Sequence, residues 1–393
     1  MSLKHFLLGP LWASIILLPA DAVPYFPSDG NAVLERLPSR NDPVQQELRQ
    51  LRAELTGNSN NLSVAVKLAH RYIDTWRDGG DPRYLGYAQA ALAPWWNLPD
   101  PPIAARVMRA TLLQSTHRFT AALADLDAVV RTEPNNAQAW LTRAAVLTVI
   151  GNYQEARKSC FQLYALAPGL ITKTCLSSVD NLNGNAEKSY RELDVALKKN
   201  PETAPEIKLW ILTMLAEMSL RLGDSAAAQR HFQQALEVGN PDNYLLATYA
   251  DFLLAQHQPE QVVALLKNKM AIDALLLRYA LALDMLHHPD AKKTSDILQQ
   301  RFDAARMRGD TIHQREQARF ELALLRNSSA ALKVAQDNWR IQKEPADTKL
   351  LLEAAVASND HQAAQPVLEW IKKNNFEDRT IGPLIIKMGG LPR

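Results

Sequence analysis

Glycine is scarce, at 15 of 393 residues, and no long alternation of Val, Ile and Thr with polar residues occurs. Both absences argue against a large β-sheet. The chain has no Cys-x-x-Cys pair, which removes dithiol redox chemistry. It also has no Gly-x-Ser-x-Gly elbow, no His-Glu-x-x-His helix and no Gly-x-x-x-x-Gly-Lys loop, so the common hydrolase, zinc-peptidase and phosphate-binding signatures are missing. Charge of one sign is lacking too: 44 basic against 42 acidic residues leave a formal +2. Such a balance gives no overall pull toward nucleic acid or anionic lipid. After the first few residues, no apolar run approaches the ~20 needed to span a bilayer.

What is present is helix-forming composition. Leu, Ala, Glu, Gln and Arg are abundant, and these side chains lose little freedom in a helix. Hydrophobic residues make up 47% and charged residues 22%, a globular composition. The first 22 residues stand apart: a basic start at Lys4-His5, an apolar run from Phe6 to Leu18, and the small–x–small pattern Ala20-Asp21-Ala22. This reads as a secretory signal peptide cut between Ala22 and Val23, an uncleaved anchor being the alternative. Cleavage removes Lys4 and Asp21 together and leaves the charge balance unchanged. No cysteine lies near the cut to carry a lipid. The expected destination is the periplasm, with no stable membrane insertion once the signal is gone.

Prolines set an internal ruler. Pro134 and Pro168 are 34 residues apart, and Pro201 follows 33 later. Residues 103–136 and 137–170 align without a gap. Small residues recur at Ala110 and Ala144, leucine at Leu113 and Leu147, an aromatic at Phe119 and Tyr153, and a second small residue at Ala122 and Ala156. The apolar spacing is helical, the small residues admit close helix approach, and proline ends each second helix. A self-similar period of this length means a solenoid.

Trp140, Ala144, Gly151, Tyr153, Ala156 and Pro168 resemble the tetratricopeptide-repeat family pattern, of the exported bacterial type. The resemblance is clear over roughly 103–241. A degenerate repeat is expected in 42–102 and further degenerate pairs in 242–375. An extended, Pro-rich lead would occupy 23–41 and a tail 376–393. The fold class implied is all-α, a right-handed superhelical solenoid of about nine antiparallel helix pairs.

In this family the first helices line a concave face, at their second, fifth, ninth and twelfth positions. The resemblance therefore implies a groove formed by Val107, Thr111 and Gln114, then Gln138, Leu141, Ala145 and Thr148. Thr174, Ser178 and Asn181 would follow, and then Trp210, Thr213 and Glu217. Val107, Leu141 and Thr174 stand where some members carry basic or amide residues that grip a terminal carboxylate, so that mode is not expected here. A small, neutral groove suits an extended segment or helix of an unidentified protein partner. No cofactor, metal or catalytic residue is expected. The alternatives are a structural subunit of an envelope assembly and a glycan-binding module using Trp95-Trp96 and Trp210.

Three further features call for a reading. Cys160 and Cys175 fall at near-equal distances on either side of the reversal at Pro168-Gly169, on facing helices. In an oxidising compartment they are expected to pair, two separate buried thiols being the alternative. His287-His288 with Asp290 is the densest histidine cluster but lies at a predicted turn, without further ligands. Glu316 and Glu321 sit at the spacing of a hydrated helix face.

Overall fold

The computed structural model describes residues 41–390 together with Asp29 and Ser39. The signal peptide, the Ala22–Val23 cleavage point and nearly all of the expected lead lie outside the described residues. The chain divides into two units, 1–46 and 47–393. In the first, the described residues open a helix, α1 (Pro43–Gly57). All that follows concerns the second.

Among the described residues the structure is all-α, without a strand, and nine helix pairs follow one another. They begin with α2 (Leu62–Gly79) and α3 (Arg83–Ala91), followed by the single turn α4 (Ala93–Trp96). Next come α5 (Ile103–Ser115) with α6 (Phe119–Thr132), α7 (Ala137–Val149) with α8 (Tyr153–Gln162), and α9 (Gly169–Asp180) with α10 (Ala186–Lys198). The series continues through α11 (Pro205–Arg221) with α12 (Ser225–Glu237), α13 (Asn243–Ala255) with α14 (Pro259–Leu266), and α15 (Asp273–Met285) with α16 (Ala291–Met307). It ends with α17 (Gln314–Ala323) and α18 (Ser328–Ile341), α19 (Pro345–Ala357) and α20 (His361–Lys373), and the short α21 (Gly382–Lys387). No helix of the described residues is long and apolar enough to cross a membrane.

One backbone device repeats in every pair. A single residue with positive φ reverses the chain between the two helices: Gly80, His117, Gly151, Gly184, Gly223, His257, His287, Arg326 and Asn359. The left-handed conformation ends the first helix and frees the chain to turn. Glycine adopts it without strain, whereas the other residue types accept a steric penalty there. The second helix then starts on a side-chain cap at Asn152, Asp224, Asn327 and Asp360, whose oxygens accept N–H groups three residues on. His287-His288-Asp290 belongs to this device. His287 holds the left-handed position, and His288 Nδ1 accepts the Asp290 N–H at 3.2 Å.

The small residues that marked the repeats are where helices touch. Ala110, Ala122, Ala156, Ala216 and Ala228 are fully buried and Ala144 almost so. Cys160 and Cys175 form a disulfide between α8 and α9, with Cα atoms 5.5 Å apart. It closes a separation of 15 residues, which corresponds to about 3 kcal/mol in the loop-entropy model. Reduction is therefore expected to lower unfolding free energy by about that amount, read as the shift in urea midpoint between oxidised and reduced protein.

The last pairs fold back on the repeats that precede them. One hydrophobic core joins Leu147, Tyr153 and Val179 of α7–α9 to Leu351, Val367, Ile371, Phe376 and Ile385. The chain from Trp370 to Arg379 runs across three successive turns. Trp370 lies over Gly151, Asn375 over Gly184 and the Arg379 stem near Gly223. Hydrogen bonds fix the register. The Glu377 carboxylate accepts the Ala186 N–H at 2.6 Å, Arg379 donates to the Leu222 carbonyl at 2.9 Å, and the Lys343 N–H reaches the Val149 carbonyl at 2.7 Å. Glu377 thus caps α10, whose own Asn185 supplies no side-chain cap. The segment expected as a tail is docked: Phe376, Ile381, Ile385 and Met388 are buried.

Candidate binding cavity

The fold-back borders a half-open cavity of about 400 Å³. Its walls are the first helices of the later pairs, α11, α13, α15, α17 and α19, with Asp378 and Thr380 closing one side. Leu220, Phe252, Leu254, Leu277 and Leu350 supply apolar lining. Charge surrounds this lining, contributed by Arg221, Arg278, Arg315, Arg319 and Lys349 against Glu217, Asp251, Glu316, Glu353 and Asp378.

The guanidinium groups are held in place. Arg278 grips Asp251 through two bonds, Nε to Oδ1 at 3.0 Å and Nη2 to Oδ2 at 2.7 Å, and donates to the Ala274 carbonyl. Arg319 approaches the same carboxylate from α17. Arg315 grips Asp347 in the same forked way and donates to Glu344. Arg221 donates to Asn181 at the end of α9. Two-point pairing of this kind fixes direction as well as charge.

The carboxylates divide into two groups. Burial alone would push Asp251 and Glu316 up. Arg278 and Arg319 outweigh it at Asp251, as Arg315 and Arg278 do at Glu316, and both stay below the ordinary range. Glu217, Glu353 and Asp378 are instead raised, chiefly by burial. Glu217 accepts the Tyr244 hydroxyl at 2.7 Å, and Glu353 lies 3.9 Å from Lys349.

The sign of the pH effect follows. A carboxyl with a raised folded-state pKa favours folding fully below its unfolded value, and that advantage is lost as pH rises through the folded value. Glu217→Gln, which keeps an acceptor for Tyr244, is therefore expected to raise the urea midpoint at pH 8. At pH 4, below the unfolded value of about 4.3, it should leave the midpoint nearly unchanged. Asp251 and Glu316 act in the opposite sense, their contribution fading as pH falls through their depressed values. An equal gain at both pH values would show that charge is not the cause.

The groove positions inferred from the family fall in several places. Glu217 lines the cavity, and Asn181 reaches it through Arg221. Thr174 and Thr213 are buried and donate to the Leu170 and Leu209 carbonyls. Thr111 and Thr148 are half-buried and make the same bond one turn back, to Val107 and Ala144. These hydroxyls are engaged by their own helices. Ser178 donates to the Cys175 carbonyl. Val107, Leu141 and Trp210 are half-buried against the cores, Gln114 is half-buried, and Gln138 and Ala145 are exposed. Trp95 and Trp96 are half-buried, and the Trp96 carbonyl accepts Arg109 at 2.6 Å.

Most of the cavity wall lies beyond the family carry-over, which stopped at α11. Glu316 departs from its reading as a hydrated residue. Its side chain is 15% exposed, 3.8 Å from Arg278, because α17 turns that face toward α15. Arg315, Glu316 and Arg319 at helical spacing, with Asp251 and Arg278 on earlier first helices, were the available signal. It needed the knowledge that α17 faces inward.

Residues 107–171 match the model of the tetratricopeptide repeat family. Similar solved structures include a tetratricopeptide repeat protein from Parabacteroides merdae, at 15% identity over 65% of this chain and 91% of that one, with a TM-score of 0.46. Yeast Tom70 aligns at 16% identity over 83% of this chain and 62% of its own length, with a TM-score of 0.35. A human IFIT1 dimer with PPP-AAAA aligns at 13% identity over 90% of this chain and 86% of that one, with a TM-score of 0.42. No curated protein matches the chain.

Proposed function

We propose that this tetratricopeptide-repeat protein is a non-enzymatic scaffold or adaptor of the bacterial cell envelope, exported by its N-terminal segment, that holds a segment of a protein partner in the cavity described above. The observation that carries the reading is the cavity itself. It combines an apolar lining with polar groups whose directions are fixed by forked ion pairs, the arrangement that binds side chains and backbone of an inserted segment. The lining guanidinium groups are tied to carboxylates, which suits recognition better than turnover.

Site-specific photo-crosslinking in cells, with the full chain and its own N-terminal segment, tests the reading. A benzophenone side chain at Thr248 or Ala255 on the cavity wall is expected to capture one protein from the envelope fraction. Probes at the exposed Lys188 and Glu187 should not. Equal capture at all positions, or none with folded protein present, would overturn the cavity reading and favour a structural subunit without an exchangeable partner. Recovery of the chain in the cytoplasmic fraction alone would overturn the location.

A further inference from the structure

A second cleft, of about 580 Å³, shares no lining residue with the cavity above. It runs from the α5–α6 turn to the end of α18 and is lined by His117, Arg118, Ile150, Arg340, Ile341 and Lys343, with the first residues of α6. Three cationic side chains face it, Arg118 from the α5–α6 turn, Arg340 from the end of α18 and Lys343 just after it, and no carboxylate among the described residues lines it.

The two arginines are exposed and Lys343 is half-buried. Arg118 forms no side-chain ion pair among the described residues. Lys343 holds its ammonium 4.9 Å from the centre of the Trp339 ring, and its backbone is pinned by the bond to Val149. Arg340 is 75% exposed, and its one partner, Asp337 at 2.6 Å, lies on the same helix surface. A surface pair of that kind contributes little and exchanges readily. His117 is held down by burial first and by Arg315 second, so at neutral pH it offers a hydrogen bond and no charge. Glu344 and Glu316, the acidic groups that act on His117, and Asp347, which acts on Lys343, all pair with or face Arg315. The start of α6 has Arg118 at its cap position and no side-chain cap, so its outward N–H groups add to a positive field already set by side chains.

We infer that this cleft binds the carboxylates of an acidic protein segment. Ile150 and Ile341 line the cleft together with the cations, a mixed lining that suits acidic and aliphatic side chains of one segment better than one compact oxyanion.

Fluorescence anisotropy of a labelled peptide, Gly-Glu-Ile-Glu-Glu-Ile-Glu-Gly, titrated with the full chain at low salt, tests this. Binding is expected to weaken at least about tenfold when the peptide's Glu residues become Gln, and likewise when Arg118→Glu is combined with Arg340→Glu. Both substituted side chains are exposed, so circular dichroism should confirm an intact fold, and the peptide comparison needs no variant. No binding by the parent chain would overturn the proposal. So would equal binding of the Gln peptide, or retention of affinity by the folded charge-reversed variant. Inorganic phosphate displacing the peptide at equal concentration would show a single-oxyanion site and overturn the assignment to a segment. Crosslinks from Thr248 report on the other cavity, so the two readings fail separately.

Discussion

Asp347→Ala is expected to cost about 3–5 kcal/mol of unfolding free energy, the range for breaking a buried ion pair from one side. Asp347 is 1% exposed and is a centre of acceptance. Arg315 donates to both of its oxygens, Asn338 to Oδ1 at 2.7 Å, Gln342 to the same atom at 3.4 Å, and the Glu344 N–H to Oδ2 at 2.9 Å. The last of these completes a capping box at the start of α19. Burial disfavours the Arg315 charge, but Asp347 and Glu344 outweigh it and hold its pKa well above the ordinary value. Alanine would leave that guanidinium in a poorly hydrated wall with Glu344 as its remaining close partner, and would strand the buried Asn338 amide, while Gln342 keeps its 3.0 Å bond to Asn338 Oδ1.

The control separates pairing from packing. Arg315→Met with Asp347→Leu removes both charges and should recover most of the loss, as apolar replacements of buried pairs commonly do. Urea unfolding of the three proteins at one pH measures it. A loss below about 1 kcal/mol for Asp347→Ala would mean that water reaches Arg315 freely and that the wall is not closed.

The parts of this fold legible in the sequence are local. The proline ruler, the alanines at Ala110, Ala144, Ala122 and Ala156, and the glycines at Gly151, Gly184 and Gly223 each act within one or two helix pairs. A 34-residue period therefore displays them directly, and nine pairs is the number found among the described residues. The Cys160–Cys175 bond was legible for the same reason, since its partners flank one reversal. The cavity was not. Glu217, Asp251, Arg278, Arg319 and Lys349 come from five helix pairs, and a period says which residues occupy equivalent places without saying which faces meet across the array. Nothing in the local pattern around Trp370 or Glu377 distinguishes them from ordinary helix-end residues. The contact of Glu377 with Ala186 joins positions 191 residues apart. The fold-back depends on the sum of small rotations between pairs, which no short stretch of sequence records.

That fold-back makes the second large prediction. Gly151→Ala is expected to cost about 2–5 kcal/mol, from two separable causes. The first is conformational: at φ +78° an alanine Cβ meets its own backbone, a penalty of roughly 1–2 kcal/mol. The second is long-range. A Cβ there would stand 2.9 Å from Trp370 Cζ2 and 3.0 Å from its Nε1. Trp370 is half-buried and packed by Tyr153, Trp339 and Phe376, with ring centres 5.1–5.9 Å away, which hinders its retreat. Overpacking of this kind typically adds about 1–3 kcal/mol. Gly239→Ala isolates the first cause. It has φ +91°, and nothing lies within 4 Å of the added carbon. Gly223→Ala should resemble it, because its nearest neighbour is the flexible Arg379 stem at 3.9 Å. The excess loss at Gly151 over these two sites is thus a measure of how firmly the last pair sits on the α7–α8 turn. In the Trp370→Leu background that excess should largely vanish, which a double-mutant cycle reads directly. Equal losses at all three glycines would mean that α20 is not seated on this turn in solution, and the cavity would then lack the side that Asp378 and Thr380 supply.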